Sequence, residues 1–213
     1  MDRVQRNGGT FGILAGIALA LLFILFATSG VTPETLSDPA KAVPVFREQA
    51  TRLKLIGMFG ALAVGFSLPF SVGLYLRTRN GAPTRATTAL LLVFVGLIGH
   101  GLGSLFAGVA FPSVAAVSDQ TAAAHAYVAV LAADQVADTL GNAFAGAGFV
   151  VFGWAILSSG ALSALVGWIF AAAGILSLLL AVAREVEIFF LGSIILTIVS
   201  LIWGGLALRR AGA

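Results

Sequence analysis

The sequence predicts an all-α, polytopic membrane protein: a bundle of six transmembrane helices, with a partly polar external helix leading into the fourth. Three observations carry that expectation. Of the 213 residues, 59% are hydrophobic and only 10% charged, against roughly 45–50% and 25% in soluble domains. The mean hydropathy is +1.04. Six apolar runs can be laid along the chain with short connections, each close to the about 20 residues that a helix needs to cross a 30 Å hydrocarbon core. They make one integral membrane domain of residues 1–213 and leave no room for a separate soluble one.

The first run, 11–28, follows a polar start bearing Arg3 and Arg6. A secretory signal has an apolar region of about 7–15 residues; this one is longer, so it reads as an uncleaved first span. Within it Gly12 and Gly16 form a small-xxx-small pattern that suits helix packing or dimerisation. From Val31 to Arg52 runs the most charged connection, where Pro33, Pro39 and Pro44 argue against one continuous helix. A short amphipathic segment on the membrane surface is expected there instead.

Span two covers 53–76; Pro69 predicts a kink, with Ser67 and Ser71 placed to help satisfy the freed backbone. The basic turn 77–85 precedes span three, 86–111, which is expected to end at Pro112. Ser118-Asp119-Gln120-Thr121 is a helix-start signal, and the helix it opens becomes span four at 139–157. A tight connection, Ser158 to Ser163, leads to span five at 164–182. The charged turn from Arg184 to Glu187 then separates it from span six at 188–208.

Orientation follows from the basic residues. With the amino terminus in the cytoplasm, Arg3, Arg6, Arg77, Arg79, Arg85, Arg209 and Arg210 lie inside, and Lys41, Arg47, Arg52, Lys54 and Arg184 outside, seven against five. The segment 112–138 has no Lys or Arg, and the two arginine-dense turns fall on one side, so both termini are expected to be cytoplasmic. Trp154, Trp168 and Trp203 then sit at the cytoplasmic interface, where indole rings settle. A pI near 10.0 arises from these span-end residues, which suits topology rather than a nucleic-acid partner. Cysteine is absent, which excludes disulfides, Fe–S clusters and thiolate metal sites.

Two constellations could carry chemistry. His100 is the titratable side chain deep within an apolar span, and Gly96, His100, Gly103 and Ala107 share one helical face. That face admits a haem or chlorophyll-type ring ligated by His100, or a close neighbouring helix to which His100 hydrogen-bonds. Asp134, Asp138 and Asn142 follow at i, i+4 and i+8 on one face of the fourth helix, where it enters the outer interface. Two carboxylates a turn apart can bind a cation, share a proton or pair with basic groups. Pairing with Lys41, Arg47, Arg52 or Lys54, as an external structural cap, is the expected arrangement. His125 stands nine residues before Asp134, out of phase with it, so no metal site is expected on this helix. The chain has no P-loop, no Gly-x-Ser-x-Gly elbow and no His-Glu-x-x-His run, and no catalytic residue is assigned.

From Phe152-Gly153-Trp154 through Ser159-Gly160 to Gly167, followed by Gly174, the chain resembles the fourth-to-fifth span junction of a known family. That family comprises uncharacterised six-helix bacterial membrane proteins, a domain of unknown function. Ser159, Gly160 and Gly167 match; Ser163 and Ala164 stand where the family usually has proline and a basic residue. The resemblance implies the six-span fold and a bacterial inner-membrane location, and brings no activity. With little chemistry and many small-residue packing faces, the expected function is that of a non-enzymatic accessory or scaffold subunit of a larger membrane complex, its partners being the bilayer and other membrane subunits. Two alternatives stay open: a binder or transporter of a small molecule, lipid, pigment or haem at the His100 groove, and an intramembrane enzyme using His100 with Asp134 or Asp138.

Overall fold

Nine α-helices and one π-turn, with no strand, account for nearly all of the residues described by this computed structural model, 2–183 and 186–211. The expected charged turn at Arg184 and Glu185 lies outside them. The helices are α1 (Asp2–Ala27), α2 (Pro33–Ser37), α3 (Pro39–Glu48), α4 (Ala50–Thr78), α5 (Pro83–Leu105), α6 (Phe111–Ala115), α7 (Gln120–Ser159), α8 (Ala164–Val182) and α9 (Glu187–Ala211). The π-turn, Phe106–Ala110, joins α5 to α6. Six stretches are long and apolar enough to cross a membrane: α1, α4, α5 continued through α6, α7, α8 and α9.

Local chemistry explains the boundaries. Two of the three prolines of the first connection start helices, and Pro44 lies inside α3. Pro33 and Pro39 open α2 and α3, where the missing N–H costs nothing, and Thr32 and Asp38 cap the two starts by accepting from the Thr35 and Ala40 amides. The amphipathic α3 turns Ala42, Val43 and Phe46 inward and packs on α6 and α7 instead of lying alone on the membrane surface. At the start of α7, Asp119 accepts from the amides of Thr121 and Ala122. At its end Gly160 adopts φ 62°, the left-handed stop that glycine takes without strain.

Pro112 does not end span three. Phe111 donates its N–H five residues back, to the Phe106 carbonyl, and this wider turn lets the following proline enter the helix without meeting the carbonyl four residues before it. The span therefore continues to Ala115. Pro69 is likewise carried inside a continuous α4. There Ser67 and Ser71 donate to the Ala63 and Ser67 carbonyls at 2.8 Å, not to the Gly65 carbonyl that proline leaves without a donor.

The six spans close into a ring in chain order, α1 packing between α4 and α9, α5 between α4 and α7, and α8 between α7 and α9. Small residues let the helices approach. A Cβ on Gly9 would lie 2.5 Å from the Gly205 carbonyl, and one on Gly153 2.6 Å from the Gly167 carbonyl. Gly12 and Gly16, a candidate dimerisation face from sequence, are spent inside the chain: a Cβ on either would strike Phe70 or Ile202 at 2.5 Å.

The start of α1 and the end of α9 lie at one end with the 79–82 and 160–163 turns. Gly9 meets Arg209 there, Gly81 meets Ser159, and Arg77 donates to the Ala161 carbonyl at 3.1 Å. Toward this arginine-bearing end the ring is plugged by Phe70, Leu74, Phe152, Ile156, Phe170 and Leu208. At the opposite end a second cluster forms around Phe46, Phe111 and Tyr127, whose ring centroids are 5.1–5.8 Å apart. Tyr127 donates its hydroxyl to the Leu36 carbonyl at 2.9 Å, and Arg47 donates to the carbonyls of Ala115 and Val117 at 2.7 and 3.0 Å. The first connection is thus a packed cap over the ring.

Candidate functional site

The site is built where α5 crosses α7. At 40 residues, α7 is about 60 Å long, twice the thickness of a hydrocarbon core. α5 and its continuation to Ala115 run beside it and cover the face that carries the polar residues. Gly96 packs on the backbone of Ala145, and Gly99 on Ala137 and Gly141. That approach places the His100 ring directly over Gly141, where an added Cβ would be 2.8 Å from Nδ1. His100 Nδ1 then stands 4.0 Å from Asp138 Oδ1. The separation is beyond a hydrogen bond and within the span of one bridging water. A Cβ on Gly103 would lie 3.6 Å from Asp134 Oδ1.

His100, Asp134, Asp138 and Asn142 therefore belong to one place. They form part of the wall of a cavity of about 340 Å³ at the centre of the ring, to which all six spans contribute side chains. About a third of the His100 and Asp138 side-chain surface stays accessible, on a wall that faces this cavity. Asn142 is 8% exposed and makes no hydrogen bond among the described residues. Ser104 donates to the His100 carbonyl at 2.9 Å, and across the ring the Ser177 and Ser193 hydroxyls pair at 2.8 Å. The rest of the wall is apolar, with Leu97, Phe149 and Leu201 leading toward the plugged end.

Depth can be estimated from the cation–π contact of Arg85 with Trp154, 4.0 Å from guanidinium to ring centre, a pair suited to a membrane interface. His100 is 15 residues beyond Arg85 and Asp138 is 16 before Trp154, about 22 and 24 Å along their helices at 1.5 Å per residue. The two groups therefore share one level along the spans.

Several expectations from sequence change here. Of the cations expected to cap Asp134 and Asp138, Lys41 lies 3.7 Å from Asp38, Arg47 donates to the carbonyls of Ala115 and Val117, and Arg52 donates to the Thr28 carbonyl. The groove expected along Gly96, His100 and Gly103 is open only in part, because α7 fills the Gly96 end. His125 and Gln135 are on the exposed side of α7. Ser104, Ser177, Ser193, Thr197 and the aromatic group of Phe23, Phe26 and Phe190 also line the cavity and were not anticipated. Isolated hydroxyls inside apolar spans were the available signal for the first four, since a buried hydroxyl needs a partner.

Six apolar spans closed around an internal cavity with a polar wall define a helical, multi-pass membrane protein. The chain belongs to the family described as the domain of unknown function DUF4386, whose family model matches residues 14–209. No curated relative and no solved structure matches it. The match extends from within the first span into the last, and includes the 152–167 junction that carries the resemblance. In the structure that junction is the close α7–α8 crossing at Gly153 and Gly167, followed by the Gly160 stop.

Proposed function

We propose that this chain is a non-enzymatic protein of the bacterial inner membrane, with both termini cytoplasmic, that binds a small, largely apolar molecule in its central cavity. The observation that supports this most is the cavity itself: about 340 Å³, walled by all six spans, with polar groups gathered at one level. Ligand sites have this size and this make-up, mostly apolar with a few placed polar groups. A bundle with only a structural task gains by closing such a space, because unfilled volume forfeits packing energy. The cytoplasmic placement of the termini is supported by the arginines around them and by Trp154, Trp168 and Trp203, which face out of the ring.

The scaffold reading drew on small-residue faces free to meet a partner. Gly12, Gly16, Gly96 and Gly174 are used within the chain, so association with other membrane subunits becomes a secondary role in this proposal. A haem or chlorophyll-type ring on His100 stays among the candidate ligands, restricted to the Gly103 side because Ala145 occupies the Gly96 side. One observation favours a second reading, acid–base chemistry by His100 with Asp138 or Asp134: the 4.0 Å approach at a common depth.

The test is purification in a mild detergent, followed by native mass spectrometry and an absorption spectrum. A small molecule retained by the wild type, and reduced by the cavity-filling substitution Ala63→Phe, is the expected result. If the wild type carries nothing and no membrane extract raises its thermal stability, the binding reading falls.

A further inference from the structure

We infer that the arginine-bearing end of the protein holds the phosphate of an anionic phospholipid, in a cleft between the end of α9 and the turn that joins α7 to α8. Arg210 meets the phosphate, and Trp203 marks the level of the glycerol esters. The cleft shares no lining residue with the central cavity, so its test and the test of the cavity ligand are independent.

The cleft has a volume of about 820 Å³. One wall is the turn 160–163. The other is a face of α9, on which Trp203, Ala207 and Arg210 follow at i, i+4 and i+7. At 1.5 Å per residue, Trp203 and Arg210 are about 10 Å apart along the helix axis. A headgroup layer is about 5–8 Å thick, so the two side chains bracket it: an indole settles at its apolar edge, and a guanidinium reaches its wet side. A phospholipid lying along the cleft thus presents its phosphate to Arg210, its ester carbonyls to the indole N–H of Trp203, and its chains to Leu162 and Leu206.

Charge selects the head. The seven arginines of this end are accompanied in sequence by a single acidic residue, Asp2. Arg210 is exposed and has no ion pair or hydrogen bond among the described residues. Arg77 donates to the Ala161 carbonyl at 3.1 Å, which brings a second guanidinium against the wall formed by the turn. Ser163 is exposed and spends no side-chain bond on the start of α8, so its hydroxyl is a further donor. A guanidinium takes phosphate through two parallel N–H bonds, and basic clefts between spans suit anionic lipid heads. A zwitterionic head gains less, because it brings a cation of its own toward these arginines. An acidic protein segment would answer the arginines but not the apolar half of the cleft, where Trp203 and Leu206 face out of the ring toward the bilayer.

The experiment uses the full chain in detergent micelles, with Trp154→Phe and Trp168→Phe so that Trp203 alone fluoresces. It is titrated with phosphatidylglycerol or phosphatidylcholine brominated in the chains, which quenches an indole on contact. Phosphatidylglycerol is expected to bind about fivefold more tightly, or better, the ratio that one charge near a membrane surface supplies. Arg210→Gln is expected to make the two lipids equal and Arg210→Lys to keep part of the difference. Arg3→Gln, at the same end but outside the cleft, is expected to keep all of it. Equal quenching by the two lipids, quenching by neither, or an undiminished preference in Arg210→Gln overturns the assignment. Displacement of the brominated lipid by millimolar inorganic phosphate also overturns it, since that marks a site for a free anion. If Arg210→Gln does not fold, the ratio of the two lipids on the parent chain and the phosphate competition decide the matter.

Discussion

Replacing Gly96 with alanine would drive a methyl group into the backbone of α7. The new Cβ would lie 2.7 Å from both Cα and Cβ of Ala145 and closer still to its amide nitrogen. These are backbone atoms and a stub, with no flexible side-chain end that could turn away. The helices must therefore separate at their main crossing, and overpacking of that kind costs about 3 kcal/mol, the upper part of the usual range. Alanine returns about 1 kcal/mol through its better helix propensity, which leaves a net loss of about 2 kcal/mol. Gly65 supplies the control. It lies in α4, also inside a span, and a Cβ there meets nothing within 4 Å, so Gly65→Ala should gain about 1 kcal/mol from propensity alone. The two variants then differ by about 3 kcal/mol, which at about 2–4 °C per kcal/mol for a chain of this size is about 6–12 °C in Tm. Unfolding followed by tryptophan fluorescence in one detergent measures the difference directly. Equal midpoints would refute the close α5–α7 crossing, and with it the seating of His100 over Gly141.

Two further perturbations probe the cavity wall and the cap. Ser177→Ala leaves the Ser193 hydroxyl buried without the partner it has at 2.8 Å, at a cost of about 1 kcal/mol. Adding Ser193→Ala should recover most of that loss, since no orphan remains; additive losses in the double-mutant cycle would show that the pair is not coupled. Arg47→Ala removes two hydrogen bonds from the guanidinium to the carbonyls of Ala115 and Val117. Arg47 is exposed, so solvent screening holds the expected loss to about 1–2 kcal/mol. It should appear as faster amide exchange in residues 39–48, with α8 unaffected; unchanged exchange there would mean that apolar packing alone holds the cap.

The cap and the carboxylates show how far residue patterns reach. Asp134, Asp138 and Asn142 can be placed on one helix face from their spacing, because the α-helical period is fixed by backbone geometry. Their depth cannot be placed that way. A rule of about 20 residues per span sets the start of span four near Thr139 and leaves both aspartates in the interface. In the structure, α5 runs on through the π-turn to Ala115 and α3 packs above it, so the same residues become the wall of an interior cavity. The continuation depends on how Pro112 is accommodated by the wider turn in which Phe111 donates to the Phe106 carbonyl, a matter of local hydrogen bonding that hydropathy does not register. The hydrogen bonds of Arg47 and Arg52 are hidden for a related reason: they go to carbonyls at helix ends that exist only once those ends are assembled.

What the sequence by itself determined is the class of fold, the number and order of spans, the helix-start signal at 118–121, the turn that follows span four and the sharing of one face by the polar residues of α7. Each of these follows from composition, periodicity or a capping residue, and each is a property of neighbours along the chain. What only the tertiary structure decided is the closure of the six spans into a ring, the use of Gly12, Gly16 and Gly96 within the chain, and the meeting of His100 with Asp138 across 4.0 Å. Those depend on which helix lies beside which. In an apolar chain, where nearly every face can pack, that choice is made by backbone approach at small residues and by the pairing of a few buried polar groups.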